Sequence, residues 1–302
     1  MKVLICDPVD DKAIARMRDA GLDVTVKTGM TPEELLPALS GFEAVVVRSA
    51  TKIRKDAIDA ADALKVVVRG GVGVDNIDVA YAREKGVEVR NTPAASSDSV
   101  AELAVGMMFA LARQIGAADR SMREEKWEKK KFKGIELSGK TLGVIGIGRI
   151  GLASARRAHA LGMSVVAYDA FINQVSEPFV SMVSLEELLE RSHFITLHIP
   201  FDPTTGAVLG AAEFSKMKDG VYIINCARGG VVDEPALLEA LNSGKVAGAG
   251  IDVYAKEPTE NWNLVKHPSV ICTPHIGAST REGQARVGGE VADILIEYAG
   301  RS

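Results

Sequence analysis

Three polar side chains stand just beyond apolar runs, and their types match one chemistry. Arg228 follows Val221-Tyr222-Ile223-Ile224-Asn225 in the stretch I-I-N-C-A-R-G-G, residues 223–230. Glu257 comes after A-G-I-D-V, residues 249–253, and His275 after V-I-C-T, residues 270–273. A guanidinium is almost never buried without a partner. Arg228 therefore either pins a turn through a salt bridge or awaits an anionic ligand. Hydride transfer to a keto acid would use all three residues. It needs a cation to orient the carboxylate and polarise the carbonyl, an acid for the nascent alkoxide, and a carboxylate to partner that acid. A charged hydrogen bond of the Arg–carboxylate kind is worth about 1.5–3 kcal/mol, and a positioned acid about 10²–10⁴ in rate. Of the other histidines, His159, His193 and His267 read as structural or solvated, and His198, at the end of F-I-T-L-H-I-P, as packing or a cofactor contact.

A hydride needs a carrier, and one segment is shaped to hold it. K-T-L-G-V-I-G-I-G-R-I-G carries Gly146-x-Gly148-x-x-Gly151 after an apolar strand and at the start of a helix. Asp169 ends the next strand about twenty residues on, where the dinucleotide fingerprint places its acidic residue. Gly146 permits a tight turn, Gly148 lets the backbone approach a pyrophosphate, and Gly151 lets the helix pack close to the strand. The helix N-terminus adds free N–H groups and partial positive charge. Asp169 would accept from ribose hydroxyls and repel a 2′-phosphate. The residues after it, Ala170-Phe171-Ile172-Asn173, are not basic, so NAD is favoured over NADP. A second glycine-rich stretch, R-G-G-V-G-V-D-N at 69–76, has Asn76 where a third glycine would stand. It reads as an anion-holding loop beside Arg69 or as a plain turn.

These residues must be positioned by strands that alternate with helices. Strand-like runs lie at Val3–Cys6, Ala44–Val47, Lys65–Val68, Val87–Arg90, Thr141–Ile145, Ser164–Tyr168, Phe194–Ile199, Val221–Asn225, Ala249–Val253 and Val270–Thr273. Their near-continuous apolar character is that of parallel strands buried on both faces. Amphipathic stretches between them include Asp11–Ala20, Pro32–Ser40, Ile150–Leu161, Leu185–Arg191 and Glu234–Asn242. Ten strands are many for one parallel sheet, and a break falls at Asn91-Thr92-Pro93. A long helix then runs from Ser97 to about Gln114, with Ser99 and Glu102 spaced as a capping box. Next comes a charged arm, R-E-E-K-W-E-K-K-K-F-K-G at 123–134, either a solvated surface segment or an oligomer contact. A final helix is expected at about Ser279–Tyr298, returning to the first domain.

Length and composition agree with two globular domains. The chain has 302 residues, 47% hydrophobic and 25% charged, too apolar for disorder and too charged for a membrane protein. A net charge of −4 gives no general attraction to nucleic acid or anionic lipid. Cys6, Cys226 and Cys272 are odd in number and widely spaced, and no Cys/His cluster has metal spacing. The N-terminus lacks signal-peptide character, and no apolar run reaches membrane-spanning length. A cytoplasmic protein without a metal is expected.

V-V-R-S-A-T-K, R-G-G-V-G-V-D-N, N-T-P, G-x-G-R-I-G, N-C-A-R-G-G-V-V-D-E, D-V-Y-A-K-E-P and P-H-I-G-A-S-T occur in this order along the chain. Together they resemble the D-isomer-specific 2-hydroxyacid dehydrogenases over essentially its whole length. The resemblance implies an α/β architecture of two doubly wound parallel-sheet domains. A discontinuous flavodoxin-like substrate domain, 1–94 and 280–302, would flank an inserted Rossmann NAD-binding domain, 95–279, with the cleft at their junction. Arg228 would bind the substrate's carboxylate and carbonyl, with Glu257 supporting His275 as acid/base. The amides of Arg149 and Ile150 would hold the pyrophosphate, beside Gly146, Gly148 and Gly151, and Asp169 the adenosine ribose. Further cofactor contacts are implied at His198, Ile199, Pro200, Cys226, Ala227, Asp252, Gly277 and Ala278, with Asp252 near the nicotinamide carboxamide. Arg48, Ser49 and Arg69 would face the substrate, and the Val72 and Gly73 amides its carboxylate. Homodimerisation through the NAD-binding domain would carry the arm around Trp127–Lys133 to the partner.

Arg48, Arg69 and the lysine-rich arm favour a second anionic group on the substrate. The expected substrate is 3-phospho-D-glycerate, with glyoxylate or hydroxypyruvate, D-lactate and sulfolactate as alternatives. A non-catalytic NAD-sensing module is a further one. Two departures stand out. Val72 and Ile199 occupy positions where some relatives have threonines. The chain also stops after its last helix, so feedback by serine through a C-terminal regulatory domain is not expected.

Overall fold

A computed structural model describes residues 1–301. Ser302, the last residue of the expected substrate domain, lies outside the described residues. The chain packs as two compact units, Met1–Ser96 with the segment from Ala278, and Ser97–Gly277.

In the first unit the strands are β1 (Lys2–Ile5), β2 (Asp23–Val26), β3 (Ala44–Val47), β4 (Val66–Arg69) and β5 (Glu88–Asn91). All pair parallel, in the order β2-β1-β3-β4-β5. This is the doubly wound order whose ligand site lies at the reversal between β1 and β3. The helices are α1 (Asp11–Asp19), α2 (Pro32–Ala38), α3 (Lys55–Ala60), α4 (Val79–Glu84) and the last helix, Arg281–Gly300. The apolar strands need cover on both faces. Ala13, Ile14 and Met17 of α1 and Val287, Val291 and Leu295 of the last helix cover one; Leu35, Ala57, Ile58 and Ala82 of α2–α4 cover the other.

The second unit holds β6 (Thr141–Ile145), β7 (Ser164–Tyr168), β8 (Val180–Met182), β9 (Phe194–Leu197), β10 (Val221–Asn225), β11 (Val246–Ile251) and β12 (Val270–Cys272). Their order is β12-β11-β10-β9-β6-β7-β8, again all parallel. The reversal lies between β6 and β9. Helices α5 (Ser97–Ala112) and α7 (Arg149–Ala160) pack on one face. On the other lie α8 (Leu185–Arg191), α9 (Ala211–Lys216), α10 (Glu234–Asn242) and α11 (Trp262–Val265). The helix α6 (Ile115–Arg123) leaves α5 at a 64° bend, through Gln114 at φ 51°. No single helix among the described residues is long and apolar enough to cross a membrane.

Two strands exceed the sequence expectation, and both are sheet edges. In β2 only Val24 is buried, and β8 has three residues with none fully buried. An edge strand needs no continuous apolar run, so it leaves no such signature. The expected capping box at Ser99 and Glu102 does not form. Ser99 lies inside α5 and is buried, while Glu102 accepts from Arg157 of α7 at 3.0 Å. The spacing reads the same two residues further into a helix. A capping box does form at Thr31 and Glu34, ahead of α2.

Candidate active site

Arg228 is fixed by its own strand end. Asn225, the last residue of β10, is buried, and its side chain bridges the turn that follows. Its Oδ1 accepts from the Ala227 N–H at 3.1 Å, and its Nδ2 donates to the Arg228 carbonyl at 3.0 Å. The half-buried Arg228 side chain donates to the Ala227 carbonyl at 2.7 Å. Gly229 is required next, because a Cβ there would lie 1.7 Å from the Tyr254 carbonyl oxygen. Cys226 is buried, with its Sγ 3.7 Å from Met107 Sδ, and burial pushes its thiol far up, so it stays neutral.

Beyond β11 and β12 the chain builds a carboxylate–imidazole pair. His275 Nδ1 and Glu257 Oε2 are 2.7 Å apart, and their side chains are 43% and 38% exposed, so the pair reaches solvent. With a carboxylate on Nδ1, that nitrogen carries the hydrogen, and Nε2 is the nitrogen left to exchange a proton with a ligand. Burial pushes the Glu257 carboxyl up. The hydrogen bond and charge of His275, the Tyr254 amide and the nearby Arg228 outweigh it, and the net pKa lies below the ordinary glutamate value. His275 sits at φ 54°, which a bulky residue rarely adopts.

The anchor of that conformation is Asp252, 1% exposed. Its Oδ1 accepts from Thr273 Oγ1 at 2.5 Å and Ile276 N at 2.8 Å, and its Oδ2 from Gly277 N at 2.8 Å. A carboxylate has about four acceptor sites. Three are spent on the segment that carries His275, so the visible work of Asp252 is to hold that loop.

The dinucleotide fingerprint folds as its spacing requires. Gly146, at φ 89°, turns the chain where a Cβ would lie 2.6 Å from both the His198 carbonyl and Ile199 Cγ2. Gly148 is the N-cap of α7, offers no side-chain cap, and faces open space. Arg149 and Ile150 open the helix, and Gly151 packs against Gly146. Asp169 is held by three backbone N–H groups, from Ile147 (2.9 Å), Phe171 (2.9 Å) and Ile172 (3.0 Å). The uncapped helix end, the open face of Gly148 and a fixed carboxylate fit a dinucleotide's pyrophosphate and ribose.

His198 follows β9, with Nε2 3.0 Å from Thr196 Oγ1 and its buried Nδ1 without a partner. Burial pushes its imidazole down to about 3, so it is neutral at working pH and unsuited to donate a proton. His159 stacks on Phe179, and His193 and His267 each accept a backbone N–H at Nδ1.

In the first unit the corresponding residues lie at the β1/β3 reversal and beyond β4. Asp7, 3% exposed, accepts from the N–H of Arg48 at 2.5 Å and of Thr51 at 3.2 Å through Oδ2, and from Thr51 Oγ1 at 2.8 Å through Oδ1. The Arg48 guanidinium meets Gln284 Oε1, and its buried Nε has no partner. Desolvation lowers its pKa, with Asp7 opposing. Ser49 is exposed. The Arg69 guanidinium folds over Gly71, where a Cβ would lie 1.8 Å from Nη1. Asn91 Nδ2 ties down the Val72 carbonyl at 2.5 Å, ahead of Gly73. Ala278 accepts from Gln284 Nε2 at 3.2 Å.

Asn225, Asp7, Gln284 and Tyr254 were not among the sequence candidates. Asn225 and Asp7 carried a signal, a polar residue closing an apolar strand. Gln284 carried none, since its partner is 236 residues away.

Residues 105–277 match the family model described as D-isomer specific 2-hydroxyacid dehydrogenase, NAD binding domain. The chain is 50% identical over 302 residues to D-3-phosphoglycerate dehydrogenase of Archaeoglobus fulgidus, covering 99% of this chain and 57% of that one. It thus spans little more than half the length of that relative. It is 46% identical to Hydroxypyruvate reductase of Thermotoga maritima, covering 99% of this chain and 98% of that one. The crystal structure of D-lactate dehydrogenase from Aquifex aeolicus, complexed with NAD and lactic acid, superposes with a TM-score of 0.84 at 30% identity, covering 99% and 96% of the two chains.

Proposed function

The chain belongs to the D-isomer-specific 2-hydroxyacid dehydrogenases, and from that premise we propose that it oxidises 3-phospho-D-glycerate to 3-phosphooxypyruvate, the first step of serine synthesis. The observation that carries the reading is the 2.7 Å His275–Glu257 pair, in the same folded unit as the Gly146–Gly151 turn. Bound NAD supplies the acceptor for the hydride leaving substrate C2. The first-turn amides of α7 hold its pyrophosphate and Asp169 its adenosine ribose. Arg228 binds the substrate carboxylate and the C2 oxygen. His275 takes the C2 hydroxyl proton at Nε2, while Glu257 orients the ring and stabilises the charge that arrives with the proton. In the reverse direction the same nitrogen returns it. The Val72 and Gly73 amides and Ser49 take the carboxylate end, and Arg48 and Arg69 the phosphate.

The relative named Hydroxypyruvate reductase, matched over nearly the whole of both chains, favours a second reading, the same chemistry on hydroxypyruvate or glyoxylate. We take the enzyme to be a cytoplasmic homodimer. Three cysteines outside disulfides support a reducing compartment. Exposed Phe109, Ile115, Met122 and Trp127, along α5, α6 and the arm, support self-association.

The deciding assay is NADH formation with 3-phospho-D-glycerate, run beside D-glycerate, D-lactate and sulfolactate, with hydroxypyruvate and glyoxylate in the reductive direction. His275→Ala is the blank. Preference for the phosphorylated acid, lost in the variant, upholds the reading. Preference for hydroxypyruvate moves the assignment to the second. Tight NADH binding without turnover on any acid makes the protein an NAD-sensing module.

A further inference from the structure

We propose that Tyr254 is the positioning residue that holds Arg228, Glu257 and His275 in one working arrangement, an inference that rests on the dehydrogenase reading above. Tyr254 stands three residues beyond β11, and each of its polar groups meets a different part of the site. Its N–H donates to Glu257 Oε1 at 3.1 Å, leaving Oε2 for His275. Its carbonyl lies against Gly229, the neighbour of Arg228, so closely that no side chain fits between. Its Oη is 3.0 Å from the Thr273 carbonyl and 3.4 Å from that of Ile251. Ile251 ends β11, and Thr273 lies two residues before His275.

The hydroxyl has one proton to give, and the shorter bond goes to the chain that leads to His275. That carbonyl lies beyond the last pair of the β11–β12 ladder, Ile251 with Cys272. The bond therefore continues the fixing of β12 past the end of the sheet. The residue is 8% exposed and belongs to the core cluster that also contains Val231, Leu237 and Leu264. Burial raises the phenol's pKa, so the group remains a donor throughout the working range. Asp252 holds the same loop through the Thr273 hydroxyl and, beyond His275, through the N–H groups of Ile276 and Gly277. Between them the two residues fix the segment on both sides of a histidine in an unfavourable backbone conformation.

Tyr254→Phe tests this, because it removes the hydroxyl and keeps the ring, the N–H and the carbonyl. On the preferred 2-hydroxy acid, kcat should fall about tenfold, as expected for a small misplacement of a reacting group. KM, the dissociation constant for NADH and Tm should stay near the parent values. In a His275→Ala background the same change should alter the residual rate less than about twofold, because residues acting through one group are not additive. The His275 ring resonances should shift in Tyr254→Phe, while those of His159, His193 and His267 stay in place. A parental kcat with unmoved His275 resonances overturns the inference. A tenfold loss that persists without His275 overturns it too. A parent protein that turns over no 2-hydroxy acid defeats the dehydrogenase reading instead, and the resonances still report whether Tyr254 places His275.

Discussion

The two units contain the same device, used for different ends. In each, a buried aspartate follows a parallel strand and gathers the segment that leaves the neighbouring strand. Asp7 follows β1 and takes the N–H groups of Arg48 and Thr51 with the Thr51 hydroxyl, beyond β3. Asp252 follows β11 and takes the N–H groups of Ile276 and Gly277 with the Thr273 hydroxyl, beyond β12. The difference lies in what each segment presents. The Asp252 segment presents a solvent-reaching histidine with an ionisable partner, a group able to change charge. The Asp7 segment presents a half-buried, partly desolvated arginine whose guanidinium meets a neutral amide, a residue type that would pair with an anion on the proposed function. On the proposed function, the chemistry and the anion recognition would be built separately, each on a buried carboxylate whose hydrogen bonds go to the loop beside it.

The largest expected effect separates the two ends directly. His275→Ala should lower kcat about 10²–10⁴-fold with little change in substrate KM, whereas Arg48→Ala should raise KM for the anionic acid and leave kcat near parental. Steady-state kinetics on both variants checks this. A kcat loss in Arg48→Ala as deep as that in His275→Ala would end the division of labour.

The aspartates give the next test, because the lesion can be matched. In either Asp→Asn variant an amide nitrogen faces a backbone donor, and one buried N–H goes unmet, at about 1–3 kcal/mol. Urea unfolding should show similar losses for Asp7→Asn and Asp252→Asn. Their kinetics should differ. Asp252→Asn should act on kcat, about tenfold by misplacing His275, and Asp7→Asn on KM. Equal effects on the same parameter would mean that the two loops are not specialised.

What the sequence could reveal follows the same divide. The strand runs, the glycine turn and the types of Arg228, Glu257 and His275 were legible because each is set by local demands: burial on both faces, a tight turn, a charge beside an apolar run. Asp252 was legible as a candidate residue at a strand end. That its carboxylate is spent on Thr273, Ile276 and Gly277 was not, because those bonds depend on how β12 leaves the sheet. Edge strands β2 and β8 escaped because a half-exposed strand has no continuous apolar run. Gln284 escaped because only the return of the last helix to the first unit brings it to Arg48.

Gln284 allows a finer cut. Gln284→Glu would put a carboxylate on the Arg48 guanidinium, where it competes with the substrate's anionic group. Gln284→Leu removes the neutral acceptor, and both variants lose the donor to the Ala278 carbonyl. KM for the anionic acid should rise several-fold more in the first variant than in the second, roughly as one charged hydrogen bond outweighs a neutral one. Equal KM values would show that Arg48 does not meet the substrate's charge.

The smallest effect concerns pH and separates two contacts, His275–Glu257 and Arg48–Gln284. The pKa of Glu257 is lowered on folding. Its ionised form therefore stabilises the fold at pH above the unfolded value, about 4.3. That contribution is lost as pH falls through the lower folded value. The side chain is 38% exposed, so solvent screening keeps the contribution small. The Arg48–Gln284 contact joins a permanent cation to a neutral amide and has no titration of its own in this range. Urea midpoints measured near pH 5.5 and again below about pH 4 should converge less in the parent than in Glu257→Gln, which lacks the titrating carboxyl. The parent should lose more stability on acidification, while Gln284→Leu should lose as much as the parent does. If Gln284→Leu flattened the acid response and Glu257→Gln left it intact, the titrating contact would belong to the anion-holding unit, and the contrast between the two loops would have to be drawn the other way.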